Sequence, residues 1–269
     1  MTKLKDKIVL ITGGASGIGK LMGEYALEKG AKKLIIWDIN KESLDDLVSK
    51  SADKKKILTY VVDVTNTGQI NLAALEIIGN GFTPDILINN AGIVVGKYFH
   101  EHQFRDIDTT IDINVKGPMY TTAVFLPEMM KKEEAHIVNI ASAAGMLSNP
   151  KMSVYAASKW AVIGWSESVR LEQSKLKSGV KVTTVTPSYI DTGMFSGVKM
   201  NASIPILKPE TAAKKIITGI EKNKIFVRMP AMVSLIPFLK GIVPVKVFDT
   251  VASWLGVYDS MNDFKGRTS

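Results

Sequence analysis

The chain has 269 residues, of which 46% are hydrophobic and 22% charged. That balance excludes a disordered polar chain and suits one large α/β domain with a substantial core. Cysteine is absent, which excludes disulfides, thiolate catalysis and cysteine-based zinc sites, and the net charge of +8 is spread along the chain without a nucleic-acid-binding motif.

The first residues, Met1 to Lys7, run directly into a strand, so no signal peptide or leading membrane anchor is expected, and a cytoplasmic location follows as an expectation. Lys7 to Thr12 is a short apolar run before a glycine cluster, read as a buried strand. A helix follows from Gly17 to Lys29, ended by Gly30. The second strand is Lys33 to Trp37, closing on Asp38, and Lys41 to Ser51 is helical. Leu58 to Val62 is the third strand, ending at Asp63, before a helix from Thr67 to Gly79. Asp85 to Asn89 is the fourth strand. A long helix is expected from Gln103 to Lys116, continuing toward Met130. The fifth strand is His136 to Ile140. Then come a helix from Val154 to Leu176, a strand from Val180 to Val185, a helix from Pro209 to Lys222, and a seventh strand from Ile225 to Val227. Apolar strands alternating with helices imply a doubly wound (Rossmann) α/β fold. Its seven-stranded sheet is mostly parallel, with helices on both faces and the ligand outside the carboxyl ends of the strands.

The glycine loop Thr12-Gly13-Gly14-Ala15-Ser16-Gly17-Ile18-Gly19 sits between a strand and a helix, the context that lets backbone N–H groups approach a pyrophosphate. Asp38 lies 19 residues after Gly19. A carboxylate there can accept both adenosine ribose hydroxyls and repel a 2′-phosphate. Ser16 and Ile39 supply no cation for such a phosphate, so NAD is favoured over NADP. The rival reading of Asp38 is a helix cap or solvated turn. Asp63 can reach an adenine amino group, with capping of the helix from Thr67 as its rival.

Tyr155 and Lys159 are four residues apart, on one face of a helix. A free phenol, with a pKa of about 10, is a poor base; bringing it to about 7 takes roughly 4 kcal/mol of differential interaction. A neighbouring ammonium and a positive nicotinamide ring both favour the phenolate. Tyr155 can then exchange a proton with an alcohol or carbonyl. Ser142, 13 residues earlier, can hydrogen-bond the substrate oxygen. His100 and His102 lack an apparent third partner, so no metal site is expected. Without a Gly-x-Ser-x-Gly elbow, Ser142 does not read as a hydrolase nucleophile.

With the glycine loop, Asp63-Val64, Asn89-Asn90-Ala91-Gly92, Asn114, Ser142, Tyr155 to Lys159 and Pro187 to Thr192 in this order, the chain resembles the short-chain dehydrogenase/reductase family over residues 6 to 195. The resemblance implies cofactor contacts for Gly13, Ser16, Gly17, Ile18, Gly19, Asp38, Asp63, Val64, Asn90, Ala91, Gly92, Pro187, Ile190 and Thr192. It implies a catalytic tetrad of Asn114, Ser142, Tyr155 and Lys159, with Lys159 also on the nicotinamide ribose and Asn114 placing a water. It further implies a homotetramer or dimer built partly on the 103–130 and 154–176 helices.

Residues 188–207 are expected to form a substrate lid made apolar by Met194, Phe195, Val198, Met200, Ile204, Ile206 and Leu207. The apolar stretch 229–258 is broken by Lys240, Lys246 and Asp249, short of the roughly 18 residues of a membrane span. Capping a hydrophobic pocket or burial between subunits ranks above peripheral membrane contact for this stretch. With Trp37-Asp38-Ile39-Asn40, it looks most like the retinol and 17β-hydroxysteroid dehydrogenase branch. The resulting expectation is an NAD-dependent dehydrogenase or carbonyl reductase acting on a lipophilic secondary alcohol or carbonyl. A small alcohol or sugar stays open as the substrate. The rivals are an NAD-binding sensor with little turnover and a lyase or epimerase using bound NAD.

Overall fold

The computed structural model describes residues 1–199 and 205–266, so Met200 and Ile204 of the expected lid lie outside the described residues. Strand β1, Ile8–Thr12, is buried along its whole length, and so is β4, Ile86–Asn89. Strands apolar on both faces need cover on both faces, and parallel βαβ connections supply it. The described strands form one seven-stranded sheet in the order β3-β2-β1-β4-β5-β6-β7. The others are β2 (Lys33–Asp38), β3 (Ile57–Val61), β5 (Ala135–Ile140), β6 (Val180–Pro187) and β7 (Phe226–Met229). Every pairing is parallel, one step beyond the mostly parallel sheet expected.

Side chains alternate between two cores, as the two-residue period of a strand requires. Val9 and Ile11 pack under helices α1 (Gly17–Glu28), α2 (Lys41–Lys50) and α7 (Pro209–Glu221). Ile8 and Leu10 pack on the other face, under α3 (Thr67–Gly79), α5 (Gly117–Met129) and α6 (Ser153–Lys175). Trp37 lies in that second core with its ring 5.5 Å from Phe125. The strand order turns back between β1 and β4. The connections leaving β1 and β4 therefore run to opposite faces of the sheet and leave a crevice at the carboxyl ends, the usual place for a ligand in such a sheet.

The long helix expected from Gln103 is interrupted. Helix α4 covers Phe104–Ile111, a π turn covers Asp112–Lys116, and α5 follows. Beyond β7, the apolar stretch folds into two short helices, α8 (Ile236–Ile242) and α9 (Val245–Trp254).

Candidate active site

The crevice opens into a cleft of ≈ 380 Å³ at the carboxyl ends of the strands. Gly13, Ser16, Gly17, Ile18, Gly19, Asp38, Asp63, Val64, Asn90, Ala91, Gly92, Pro187, Ile190 and Thr192 all line it, together with Ser142, Tyr155 and Lys159. Asn114 alone among the sequence-predicted residues stands behind the wall.

The loops after β1 and β4 are stitched across the crevice. Thr12 Oγ1 accepts from the N–H groups of Asn90 and Ala91 at 3.0 and 3.1 Å. Asn90 Nδ2 donates back to the carbonyls of Thr12 and Gly13 at 3.0 and 2.8 Å. This leaves no room for a side chain at Gly19, where a Cβ would strike the Gly13 carbonyl and come within 2.6 Å of Asn90 Nδ2. Gly17 adopts φ +55° facing Thr192 across the cleft, a conformation costly for other residues. Among the described residues, the Ser16 side chain caps no N–H of α1, so the first-turn donors remain available to an anion. These features fit a dinucleotide pyrophosphate.

Asp38 does not cap a helix; Asn40 does, accepting from Ser43 N. The Asp38 carboxylate is instead oriented by the N–H groups of Ala15 at 3.0 Å and Asn40 at 3.1 Å. Each oxygen keeps a lone pair for a further donor. Asp63 likewise leaves capping of α3 to Asn66, and one of its oxygens holds Thr65 by N–H and hydroxyl.

Ser142 begins a short 3₁₀ turn after β5, its Oγ accepting from Ala144 N at 3.1 Å. Tyr155 and Lys159 lie on the buried side of α6, with Lys159 Nζ 5.6 Å from the Tyr155 ring centre. Lys159 donates to the Ile140 carbonyl at 3.0 Å. Asn114 sits in the π turn, a local distortion often found at functional sites. Its Oδ1 accepts from Ile93 N, and its Nδ2 donates to Ile93 O and Ser158 Oγ, all within 3.1 Å. Ser158 in turn donates to the Tyr155 carbonyl at 2.7 Å. Asn114 thus ties the chain after β4 to the helix that carries Tyr155.

Burial dominates the electrostatics of this pair. Burial pushes the Tyr155 phenol up to about 12; hydrogen bonding from Ser142 opposes this, and Tyr189 adds to the rise. Burial also pulls the Lys159 ammonium down to about 8. The protein's own groups therefore hold Tyr155 as the neutral phenol; the expected lowering relied on the charge of a nicotinamide ring as well as on Lys159. Desolvation is the largest cause for both groups.

A second cavity of ≈ 400 Å³ meets the cleft at Ser142, Ser188 and Phe195. Its walls are almost wholly apolar, with Leu147, Met152, Leu239, Phe248, Val251 and Leu255 among them. The Phe195 ring stands edge-on to Tyr155 at 6.1 Å and to Tyr189 at 5.1 Å. Sequence reasoning missed the segment that follows α9. Met261 and Phe264 pack with Tyr155 and Tyr189. Asn149 Nδ2 donates to Tyr189 Oη, Ser260 Oγ and the Val257 carbonyl at 3.0, 3.1 and 3.2 Å. The alternation of Met261 and Phe264 with polar residues in a turn-like tail gave little signal for this packing.

The sheet order, the stitched glycine loop and the buried Tyr155–Lys159 pair together define a nicotinamide-dependent oxidoreductase. The chain belongs to the short-chain dehydrogenase family, whose model, described as short chain dehydrogenase, matches residues 7–202. Its relatives put it in the branch that holds the retinol and 17β-hydroxysteroid dehydrogenases. Epidermal retinol dehydrogenase 2 of Mus musculus is 36% identical over 266 residues, covering 97% of this chain and 86% of that protein. Estradiol 17-beta-dehydrogenase 11 of Homo sapiens is 32% identical over 262 residues, covering 96% and 87%. A short chain dehydrogenase/reductase from Burkholderia phymatum, solved in complex with NAD, superposes with a TM-score of 0.80 at 25% identity, covering 91% of this chain and 97% of that one. A short chain dehydrogenase from Burkholderia cenocepacia, solved in complex with NADP, gives 0.79 at 25% identity, covering 94% and 99%.

Proposed function

We propose that the protein transfers a hydride between NAD(H) and a lipophilic secondary alcohol or its carbonyl, with Tyr155 as the general acid and base. The observation that carries this reading is the junction of the two cavities. The cleft that fits a dinucleotide and the apolar cavity share Ser142, with buried Tyr155 beside it. A nicotinamide dinucleotide held in the cleft supplies or accepts the hydride and, when oxidised, brings a positive ring.

The chain's residues do the rest. Tyr155 Oη gives its proton to a carbonyl oxygen during reduction, the direction for which a neutral phenol is ready. In oxidation it must take the alcohol proton, and the added positive charge favours the phenolate that this requires. Ser142 Oγ hydrogen-bonds the substrate oxygen and fixes its distance from Tyr155. Lys159 supports Tyr155 and holds the nicotinamide ribose. Asn114 acts as a positioning residue through Ile93 and Ser158. The apolar walls suit a steroid- or retinoid-like body, in line with the names of the relatives. Phe195, at the junction of the two cavities, belongs to the lid expected over 188–207, and α8 and α9 wall the far end of the apolar cavity.

NAD rather than NADP is favoured by Asp38, whose oriented carboxylate accepts ribose hydroxyls and repels a 2′-phosphate. Turnover with NAD and NADP side by side, over steroid, retinoid and small secondary alcohols, tests the reading. The expected result is preference for NAD and for the bulky apolar alcohols, with Asp38→Ser shifting the preference toward NADP. Preference for NADP in the wild type would show that Asp38 does not select the cofactor.

A further inference from the structure

Beyond α9 the chain runs from Leu255 to Gly266 through turns and irregular backbone, without a helix or strand. This strap reaches three loops at the carboxyl end of the sheet. At the turn after β6, Lys265 N–H donates to the Ser196 carbonyl at 2.9 Å, and Lys199 N–H donates to the Ser260 carbonyl at 3.2 Å. Lys199 Nζ also pairs with Asp263 at 2.7 Å. At the loop before α6, Lys151 Nζ donates to the Asn262 carbonyl at 3.0 Å, and Asn149 Nδ2 to Ser260 Oγ at 3.1 Å. At the loop after β4, the Phe264 ring and the end of Met261 lie against Gly96.

Two glycines are shaped to this contact. A Cβ at Gly96 would strike the Phe264 ring, and one at Gly197, whose φ is +86°, would strike the Asp263 carbonyl. At each glycine the three nearest atoms all belong to the strap. The turn that carries Phe195, residues 193–199, has no helix or strand of its own. Among the described residues, every hydrogen bond that it makes outside itself goes to the strap.

The inner side of the strap faces the catalytic end. Met261 and Phe264 share one apolar cluster with Tyr155, Tyr189, Phe195 and Val198. Phe195 lines both the cleft and the apolar cavity and stands edge-on to Tyr155. The Lys199–Asp263 pair is largely exposed at both ends and adds little. The hold therefore rests on two backbone hydrogen bonds and on the packing of Met261 and Phe264. Segments held so lightly open locally, well short of global unfolding.

We propose that residues 258–266 latch the 193–199 turn over Tyr155, with Met261 and Phe264 as positioning residues that hold Phe195 in place, and that release of the latch opens the catalytic chamber. The role of the chamber rests on Tyr155 being the proton donor, as proposed above; the latch does not.

The test combines hydrogen exchange at the Lys199 and Lys265 amides with alcohol oxidation by the full chain. In the wild type the two amides are expected to exchange slowly and at one common rate. Phe264→Ala empties the slot beside Gly96, and Gly96→Ala fills it from the other side. Each variant, still binding NAD as evidence of folding, is expected to speed both amides about tenfold or more while the β1 amides stay protected. Each is also expected to lose about tenfold in kcat/KM for the alcohol with its NAD affinity kept, and Phe264→Leu to restore most of both losses. Free-peptide exchange of the two amides in the wild type, or wild-type rates in both variants, overturns the latch. Faster exchange with wild-type kcat/KM overturns its hold on the chamber. Slow, paired exchange in the wild type together with full turnover by Tyr155→Phe would instead count against the proton-donor reading and leave the latch standing.

Discussion

Lys159 and Tyr155 show how burial and spacing act on one pair of residues. The four-residue spacing was enough to find them, because a helix brings such positions together. Their protonation was not legible, because spacing carries no information about desolvation. With Lys159 drawn down to about 8 by burial, it is an ammonium below that pH and neutral above it. If the ammonium holds the cofactor ribose, NAD affinity falls as pH rises through about 8, and calorimetric titration across that range will show it. In Lys159→Gln the affinity should be low and flat over the same window. A wild-type affinity that does not change there would remove Lys159 from cofactor binding. Asn114 was found only through the family pattern; its partners Ile93 and Ser158 depend on a π turn that apolar periodicity does not announce.

At the scale of elements, the strands were legible because each carries a short apolar or β-branched run, and the first three run up to Gly13, Asp38 and Asp63. Their limits moved by a few residues at most, as when β6 extended to Pro187. The long helix before β5 was read as continuous because its apolar pattern carries through the π turn at Asp112–Lys116. Strand β5 also carries a polar residue with a measurable consequence. His136 is buried between Thr2 and Thr183, its Nε2 lying 2.7 Å from Thr183 Oγ1. Burial, helped by Lys181, pulls the imidazole down to about 4 from 6.5. A group depressed in the folded state favours folding above its unfolded pKa. That contribution is lost as pH falls from about 6.5 to about 4. The loss amounts to roughly 3 kcal/mol. Denaturant titrations at several pH values should show this slope in the wild type and a shallower one in His136→Gln. Equal slopes would mean that His136 is not the group being charged.

For the whole molecule, the sequence disclosed the cofactor end and left the substrate end open. The cofactor cleft is built from loops at fixed places on a parallel sheet, so glycines and a carboxylate at strand ends reveal it. The apolar cavity is assembled from segments far apart in the chain, Leu147 to Met152, Tyr189, Phe195 and the helices beyond Met229, and no local pattern records that meeting. Composition marked 229–258 as apolar and left pocket capping and burial between subunits as joint expectations for it. Its inner face proved to wall the cavity, and Met261 and Phe264, beyond it, pack with Tyr155. What unites the two ends is Tyr155 beside their shared boundary at Ser142. The most direct test is therefore NAD-linked oxidation of a steroid secondary alcohol by wild type and Tyr155→Phe, with NAD binding measured on both. The account predicts that Tyr155→Phe lowers kcat by about 10²–10⁴-fold while binding NAD as tightly as wild type. A variant that turns over near the wild-type rate would show that the proton moves through another group.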